Sequence, residues 1–311
     1  MKVFYHFKLF SYAIMTLVFS GCIKENLEIC LPQSLHVNFA FIRSEDCVEE
    51  ISNPEGINRL TVFVFDHDGL LVQRVDTLPS GGSYQMDLSL PPAHYQFVAV
   101  AGYEENQLKE TPFIYGTRME DAAVAAYLEG EEGYFQSANH ILYKGSDTLT
   151  VKPDKAGQKL SLTSIQRTKV LNINVDGLNG FGIEKDFQIA LAGNAAQYTF
   201  MDDKQVFLAG NPSVFVELKP GTGAEAQLLF GRAMLSWPLS RTISTTRLQV
   251  IDPKTGYRVV DENLYELLRR VPNLDLECAN SFDIGFLYTV DMKIRIYING
   301  WQVSEDGYEL Q

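Results

Sequence analysis

The chain has 311 residues with 39 acidic and 26 basic side chains, a formal net charge of −13 that disfavours nucleic acid and anionic lipid surfaces as partners. Hydrophobic residues make up 46% and aromatics 12%, ample for packed cores and inconsistent with a disordered chain. None of the five histidines pairs with another at the spacing of a zinc helix, and there is no Cys-x-x-Cys, so the common metal sites are not indicated.

The first segment, MKVFYHFKLFSYAIMTLVFSGC, begins basic at Lys2 and Lys8 and continues as an apolar run from Leu9 to Phe19. Ser20 and Gly21 then supply small residues before Cys22. This is the layout of a secretory signal over residues 1–21, too short and wrongly flanked to span a bilayer. Its end, FSGC, is lipobox-like with Phe19 at the usual Leu position, which predicts cleavage after Gly21 and acylation of Cys22. The alternative is a plain secretory signal followed by an unrelated cysteine. Each acyl methylene buried in lipid adds about 0.8 kcal/mol, so a multiply acylated Cys22 is a stable tether. Loss of Lys2 and Lys8 leaves 24 basic against 39 acidic residues. Lys24-Glu25, just after Cys22, resembles the charged signal that sends some lipoproteins to the outer face of the outer membrane.

Residues 22–33 read as a lipidated tether. Cys30 and Cys47 flank the strand SLHVNFAFIR in an oxidising compartment, which predicts a disulfide worth about 3 kcal/mol for so short a loop. Cys278 is left as a buried thiol. Period-two alternation then dominates. Leu35, Val37, Phe39 and Phe41 share a strand face, and His36 and Asn38 the polar one. Leu60, Val62 and Val64 share a face of the next strand, with Phe63 and Phe65 on the other, and Asp66-His67-Asp68-Gly69 turns a hairpin into LLVQRV. Tyr84, Met86, Leu88 and Leu90 alternate up to Pro91-Pro92, and Tyr95, Phe97 and Ala99 are expected to form the partner strand. An acidic, glycine-bearing stretch follows, in which Arg118 to Glu129 reads as a short helix.

A second series of strands starts near Gln158. RLQVIDPKTGYRVV repeats the earlier strand–turn–strand style, with Asp252 and Gly256 in the places of Asp66 and Gly69. Asp261 is expected to cap a helix through Arg270, with Leu264, Leu267 and Leu268 on its apolar face. MKIRIYINGWQV ends the series with Ile294, Ile296 and Ile298 alternating. Many short strands and little helix predict an all-β chain of two consecutive antiparallel sandwiches, residues 34–163 and 164–311.

Chemistry is scarce. Asp66 and Asp68 invite a calcium reading, but the later acidic residues of a helix–loop–helix site are missing. GTGAEA at 221–226 leads into a strand rather than the helix that a dinucleotide needs. No nucleophile elbow or phosphate loop occurs, so no catalytic residue, metal or cofactor is indicated. Exposed rings between Tyr103 and Phe135 offer a stacking surface for sugars, which keeps a glycan- or host-protein-binding module as the alternative function.

Several segments resemble the FimB-type family of fimbrial anchor or minor-subunit lipoproteins. They are Cys22 with Cys30-Leu-Pro32, INRLTVFVFDHDGLLV, YQMDLSLPPAHYQFVAVAG, ILYKG at 141–145, IQRTKVLNINVDGL at 165–178 and IYINGW at 296–301. Ala93-His94 stands where the family usually has Gly after the prolines. The resemblance implies transthyretin-like sandwiches, no enzymatic activity, outer-membrane attachment through acylated Cys22 and fimbrial structural subunits as partners. It further implies a role in anchoring the fibre and limiting its length, with assembly by strand addition. The C-terminal strand around Lys293–Val303 either takes part in that exchange or completes its own sheet.

Overall fold

The computed structural model describes residues 31–43, 59–77, 84–109, 116–129, 135–138, 140–153, 155–177, 187–194, 196–202, 205–207, 213–222, 228–236, 245–289, 293–303 and 308–309, with a few positions between 47 and 57. The first half supplies β1 (Gln33–Ile42), β2 (Leu60–Phe65), β3 (Leu71–Thr77), β4 (Gln85–Leu90) and β5 (His94–Ala101). Four short strands follow, β6 (Leu108–Lys109), β7 (Ala123–Ala125), β8 (Tyr127–Glu129) and β9 (Phe135–Ser137), then β10 (Tyr143–Thr150) and β11 (Gln158–Gln166). The second half begins with β12 (Thr168–Asp176), β13 (Gln188–Ala192), β14 (Ala196–Thr199), β15 (Gln205–Phe207), β16 (Ser213–Val216) and β17 (Leu218–Pro220). It continues with β18 (Leu229–Ser236), β19 (Arg247–Ile251), β20 (Arg258–Asn263), the helix α1 (Leu264–Arg269), β21 (Ser281–Tyr288), β22 (Lys293–Ile298), β23 (Trp301–Gln302) and β24 (Tyr308–Glu309). The fold is all-β, with sandwiches as expected.

The first sandwich is one sheet folded over itself, in the order β3-β2-β5-β10-β11-β1-β4. The fold lies where β10 passes from β5 to β11. β10 pairs with β5 along its length, but with β11 only at Tyr143–Gln166 and Lys144–Ile165. Leu35, Val37, Met86, Leu88, Leu160 and Leu162 of one layer meet Val62, Val64, Tyr95, Phe97 and Ala99 of the other. The second sandwich sets β17-β18-β12-β21-β22, edged by β23 and β24, against β20-β19-β13-β16-β9-β8. Antiparallel pairing dominates, yet each sandwich closes by a parallel pair, β1 with β11 and β12 with β21. β16 with β9 is a third parallel pair, and it joins strands from opposite halves of the chain.

Three expectations are corrected. The stretch Arg118 to Glu129 is not a helix: β7 and β8 occupy it. Ala122, Val124 and Ala126 face one apolar cluster while Ala125 and Tyr127 face another, a period of two that a helix cannot satisfy. β5 is not the partner of β4; β4 pairs with β1, and β5 with β2 and β10. Pro91-Pro92 is therefore a corner between layers, because prolines lack the N–H that a ladder needs. The helix starts at Leu264, capped by Asn263, whose Oδ1 accepts from Glu266 N at 3.1 Å, and its apolar residues are the expected Leu264, Leu267 and Leu268. Asp261 belongs to β20 instead, where it accepts from Arg247 Nε at 2.6 Å.

The two aspartate turns share their chemistry. Asp66 Oδ1 accepts from the N–H groups of Asp68 and Leu70 at 3.0 and 2.9 Å, and Asp252 Oδ1 from Lys254 N at 2.9 Å. Gly69 and Gly256 both take positive φ, 74° and 70°. Their strands occupy different places, however. Aligning the parallel closures sets β12 on β1, and then β19 falls on β5 rather than on β2. The likeness is one of turn chemistry.

Glycine is required where the first sheet folds over. A Cβ on Gly145 would lie 2.1 Å from the Thr163 carbonyl oxygen, whereas one on Gly256 meets nothing within 4 Å. Gly145→Ala is expected to cost about 1–3 kcal/mol of stability in urea unfolding. Gly256→Ala should cost only about 1 kcal/mol, for its left-handed backbone.

Candidate functional site

Side chains from β1's exit and from β12 converge on the turn that precedes β21. Arg43 donates from Nη1 to the Cys278 carbonyl at 3.2 Å. Lys169, 2% exposed, donates from Nζ to the carbonyls of Leu276 and Glu277, the latter at 2.6 Å. Asp275 Oδ1 accepts from the N–H groups of Glu277 and Cys278 at 3.0 and 3.1 Å and so shapes the turn. Cys47 is bonded to Cys278, with the Cα atoms 5.4 Å apart. Burial pulls the Lys169 ammonium down to about 8, against the carboxylates of Glu277 and Asp275.

This pairing corrects the expected Cys30–Cys47 disulfide; Cys30 lies outside the described residues, and Cys278 is no lone thiol. The reason is geometric. β1 has ten residues, and at ~3.3 Å each its ends stand roughly 30 Å apart, while bridged Cα atoms lie within about 7 Å. Beyond β1 the chain folds back, Ile51 N donating to Phe41 O at 2.7 Å, which keeps Cys47 at the far end of the strand. Around this junction Phe41, Leu60, Ala101 and Tyr143 of the first half pack with Val170 and Met234 of the second.

A second cluster fixes the excursion that leaves β5. Arg74 donates to both carboxylate oxygens of Glu105 at 2.8 Å, and Arg59 joins from the side. The Arg74 hydrogen bonds hold the Glu105 carboxyl below the usual carboxylate range. Thr61 Oγ1 and Tyr103 Oη lie 2.6 Å apart beneath them. A cleft of about 160 Å³ lies beside the Asp66 turn, lined by His67, Asp68, Gln96, Arg118, Glu120 and Met201. The neighbouring Asp66 carboxylate already serves the turn, and His67 and Asp68 are exposed. His36 sits on the solvent side of β1, paired with Asp87.

Of the other expected site residues, Gly21 and Cys22 lie outside the described residues, which begin at Leu31, just before β1. The strand Lys293–Ile298 completes its own sheet. β22 has β21 on one side and β23 and β24 on the other, with Ile294, Ile296 and Ile298 fully buried. The rim of this sheet is thin. β24 meets β22 only at Lys293–Glu309 and Ile294–Tyr308, and β23 returns through Asn299 and Gly300, both at positive φ. Lys169 escaped sequence reasoning, since a lysine in an alternating run reads as solvent-facing and the turn that covers it is over a hundred positions away.

A family model described as "Fimbrillin-A associated anchor proteins Mfa1 and Mfa2" matches residues 27–307. The chain belongs to this family. The minor fimbrium anchoring subunit Mfa2 of Porphyromonas gingivalis is 23% identical over 310 residues, covering 93% of this chain and 90% of that protein. The structure of the fimbrial anchor protein Mfa2 from the same organism has a TM-score of 0.58 at 20% identity, over 88% of this chain and 99% of that one. A candidate adhesin from Bacteroides ovatus gives 0.64 at 17% identity, over 87% and 94%. At these identities the structures share the fold. The anchor family is structural, and this member is not an enzyme.

The junction makes two outcomes measurable. Cys47→Ser with Cys278→Ser should lose up to about 5.5 kcal/mol in chemical denaturation, the chain-entropy value for so long a loop, while Cys30→Ser should leave stability unchanged. Lys169 titrates near 8 when folded and at its ordinary 10.5 when unfolded, so the unfolded chain holds the extra proton between those values. Stability should therefore rise from pH 8 to 10, on the order of 2 kcal/mol, and Lys169→Met should lack that rise. Above pH 10 buried Tyr288 and Tyr103, both titrating above their ordinary value, oppose it.

Proposed function

We propose that this chain is the lipid-attached anchor of a fimbrium. Residues 1–21 are removed, acylated Cys22 holds the protein in the outer membrane facing outwards, and residues 22–33 tether two sandwiches, built mainly from 34–163 and 164–311 and sharing strands between them. The body retains the fibre and limits its length by pairing with a fimbrial structural subunit through strand addition. The observation that carries the reading is the family match. It begins at residue 27, shortly after the lipobox-like segment that ends at Cys22, which supports a body carried on a short tether from Cys22. An anchor keeps its acylated end, whereas a shaft subunit must lose it to join the fibre. Among the described residues no helix is long and apolar enough to cross a membrane.

The C-terminal sheet supplies the point of exchange. Releasing β24 and β23 would free the main-chain groups along one side of β22, while its three isoleucines stay in the core. An extended segment of a fimbrial subunit then pairs with that edge, its main chain giving affinity and its alternate side chains specificity. In cells, Cys22→Ala is expected to release long fibres into the medium, seen by electron microscopy, where wild type keeps them attached. Truncation after Val303 should spare membrane attachment and alter fibre retention. Fibres that stay on cells carrying Cys22→Ala, or on cells lacking the protein, would overturn the anchor reading.

A further inference from the structure

We infer that the Cys47–Cys278 disulfide is a mechanical bypass, which routes tension from the membrane end of the chain to its C-terminal sheet without passing through the chain between, across a sequence separation of 231. The inference rests on the reading above for its two points of attachment, Cys22 and the strands β22–β24. Between them the covalent path runs through β1 to Cys47, across the bond to Cys278, and on through β21 into β22. Everything from β2 to α1 lies in the loop that the bond closes.

The strand geometry determines how load reaches that bond. β1 runs from the tether at Gln33 to the junction at Phe41, so a pull on its N-terminal end is directed largely along the strand. β1 is paired with β11 from Leu35 to Ile42 and with β4 from Gln33 to Asn38, so its ladders on both sides are sheared together rather than peeled one bond at a time. If β1 slips, the chain tightens at Cys47 after a few residues. With the bond in place, tension passes directly to the turn before β21, which Arg43 holds from the first half and Lys169 from the second. Without it, slippage would continue into β2 and unravel the first sandwich. At ~3.5 Å per extended residue, a separation of 231 amounts to roughly 800 Å of chain kept out of the load path.

An optical trap tests this on the mature chain, residues 22–311, carrying Cys30→Ser and held by peptide tags at its two ends. The oxidised protein, stretched to full unfolding, is expected to lengthen about fivefold less than the same molecule after a phosphine reductant has opened the bond. Cys47→Ser with Cys278→Ser should match the reduced form, and reduction of the already folded chain keeps the comparison valid if that variant folds poorly. Equal lengthening of oxidised and reduced chains would overturn the bypass. In cells under flow, the double-serine strain should shed fibres that it holds at rest, while wild type holds them in both conditions. Equal retention under flow would overturn the bypass as a feature of fibre attachment. Failure of the anchor reading is seen separately, as fibres retained by Cys22→Ala, and the trap result decides the bypass in that case too.

Discussion

Strand β2 and the later part of β5 are buried on both faces, and much of the architecture follows from covering them. All six residues of Leu60–Phe65 are buried, as are Phe97 to Ala101. Val62, Val64, Phe97 and Ala99 are covered by the opposite layer of their own sandwich. Phe63, Phe65, Val98 and Val100 need a second cover, because each exposed aromatic or valine would forgo about 1.5–3 kcal/mol of burial. The cover is the excursion after β5, where Leu108, Ala122, Val124 and Ala126 pack down, and Tyr198 and Phe200 arrive from the other half. Phe200 lies 5.1 Å from Phe63 between ring centroids, and its N–H donates to Ala122 O at 2.9 Å.

Lacing follows from this. The covering sheet runs β15-β14-β7-β6, two strands from each half, and the excursion continues into β8 and β9, which extend the second sandwich through β16. Tyr198 Oη donates to Arg167 O at 2.6 Å, pinning the cover to the link between β11 and β12. The Cys47–Cys278 bond and the Arg43 hydrogen bond to the Cys278 carbonyl reinforce a junction that strand sharing has already made. The small Ala122 and Ala126, on either side of β7, let this layer sit close to bulky Phe63 and Phe65.

What could be read in advance was what neighbouring residues decide. Alternation marked β1, β2, β4 and β22 because each has a solvent or second-core side every other residue, and Asp66 and Asp252 marked their turns because an aspartate bonds its own backbone two residues on. The leucine spacing of α1 was visible for the same reason, although a stronger local partner, Arg247, drew Asp261 away from the cap. Ala122 to Ala126 misled because alanine favours helix when nothing covers it, and the cover here comes from Phe63 and Tyr198, far off in sequence. The partner of Cys47 was hidden likewise: short separation favours ring closure in a flexible chain, but β1 is rigid and holds its ends apart. Family membership was legible in the segments around the Asp66 turn and Pro91-Pro92, although those prolines turn between layers rather than between paired strands.

The shared strands also bear on how the chain reaches its fold. β1 must wait for β11, more than a hundred residues later, to gain its parallel neighbour, and the outer face of β2 waits longer still, for Phe200. The sheet containing β8 and β9 is incomplete until β16 and β13 have emerged. A chain with such distant pairings has high contact order and cannot fold securely as it emerges from one end. Its folding should therefore be slow and late, since neither sandwich is fully covered until strands from the other half of the chain have joined it.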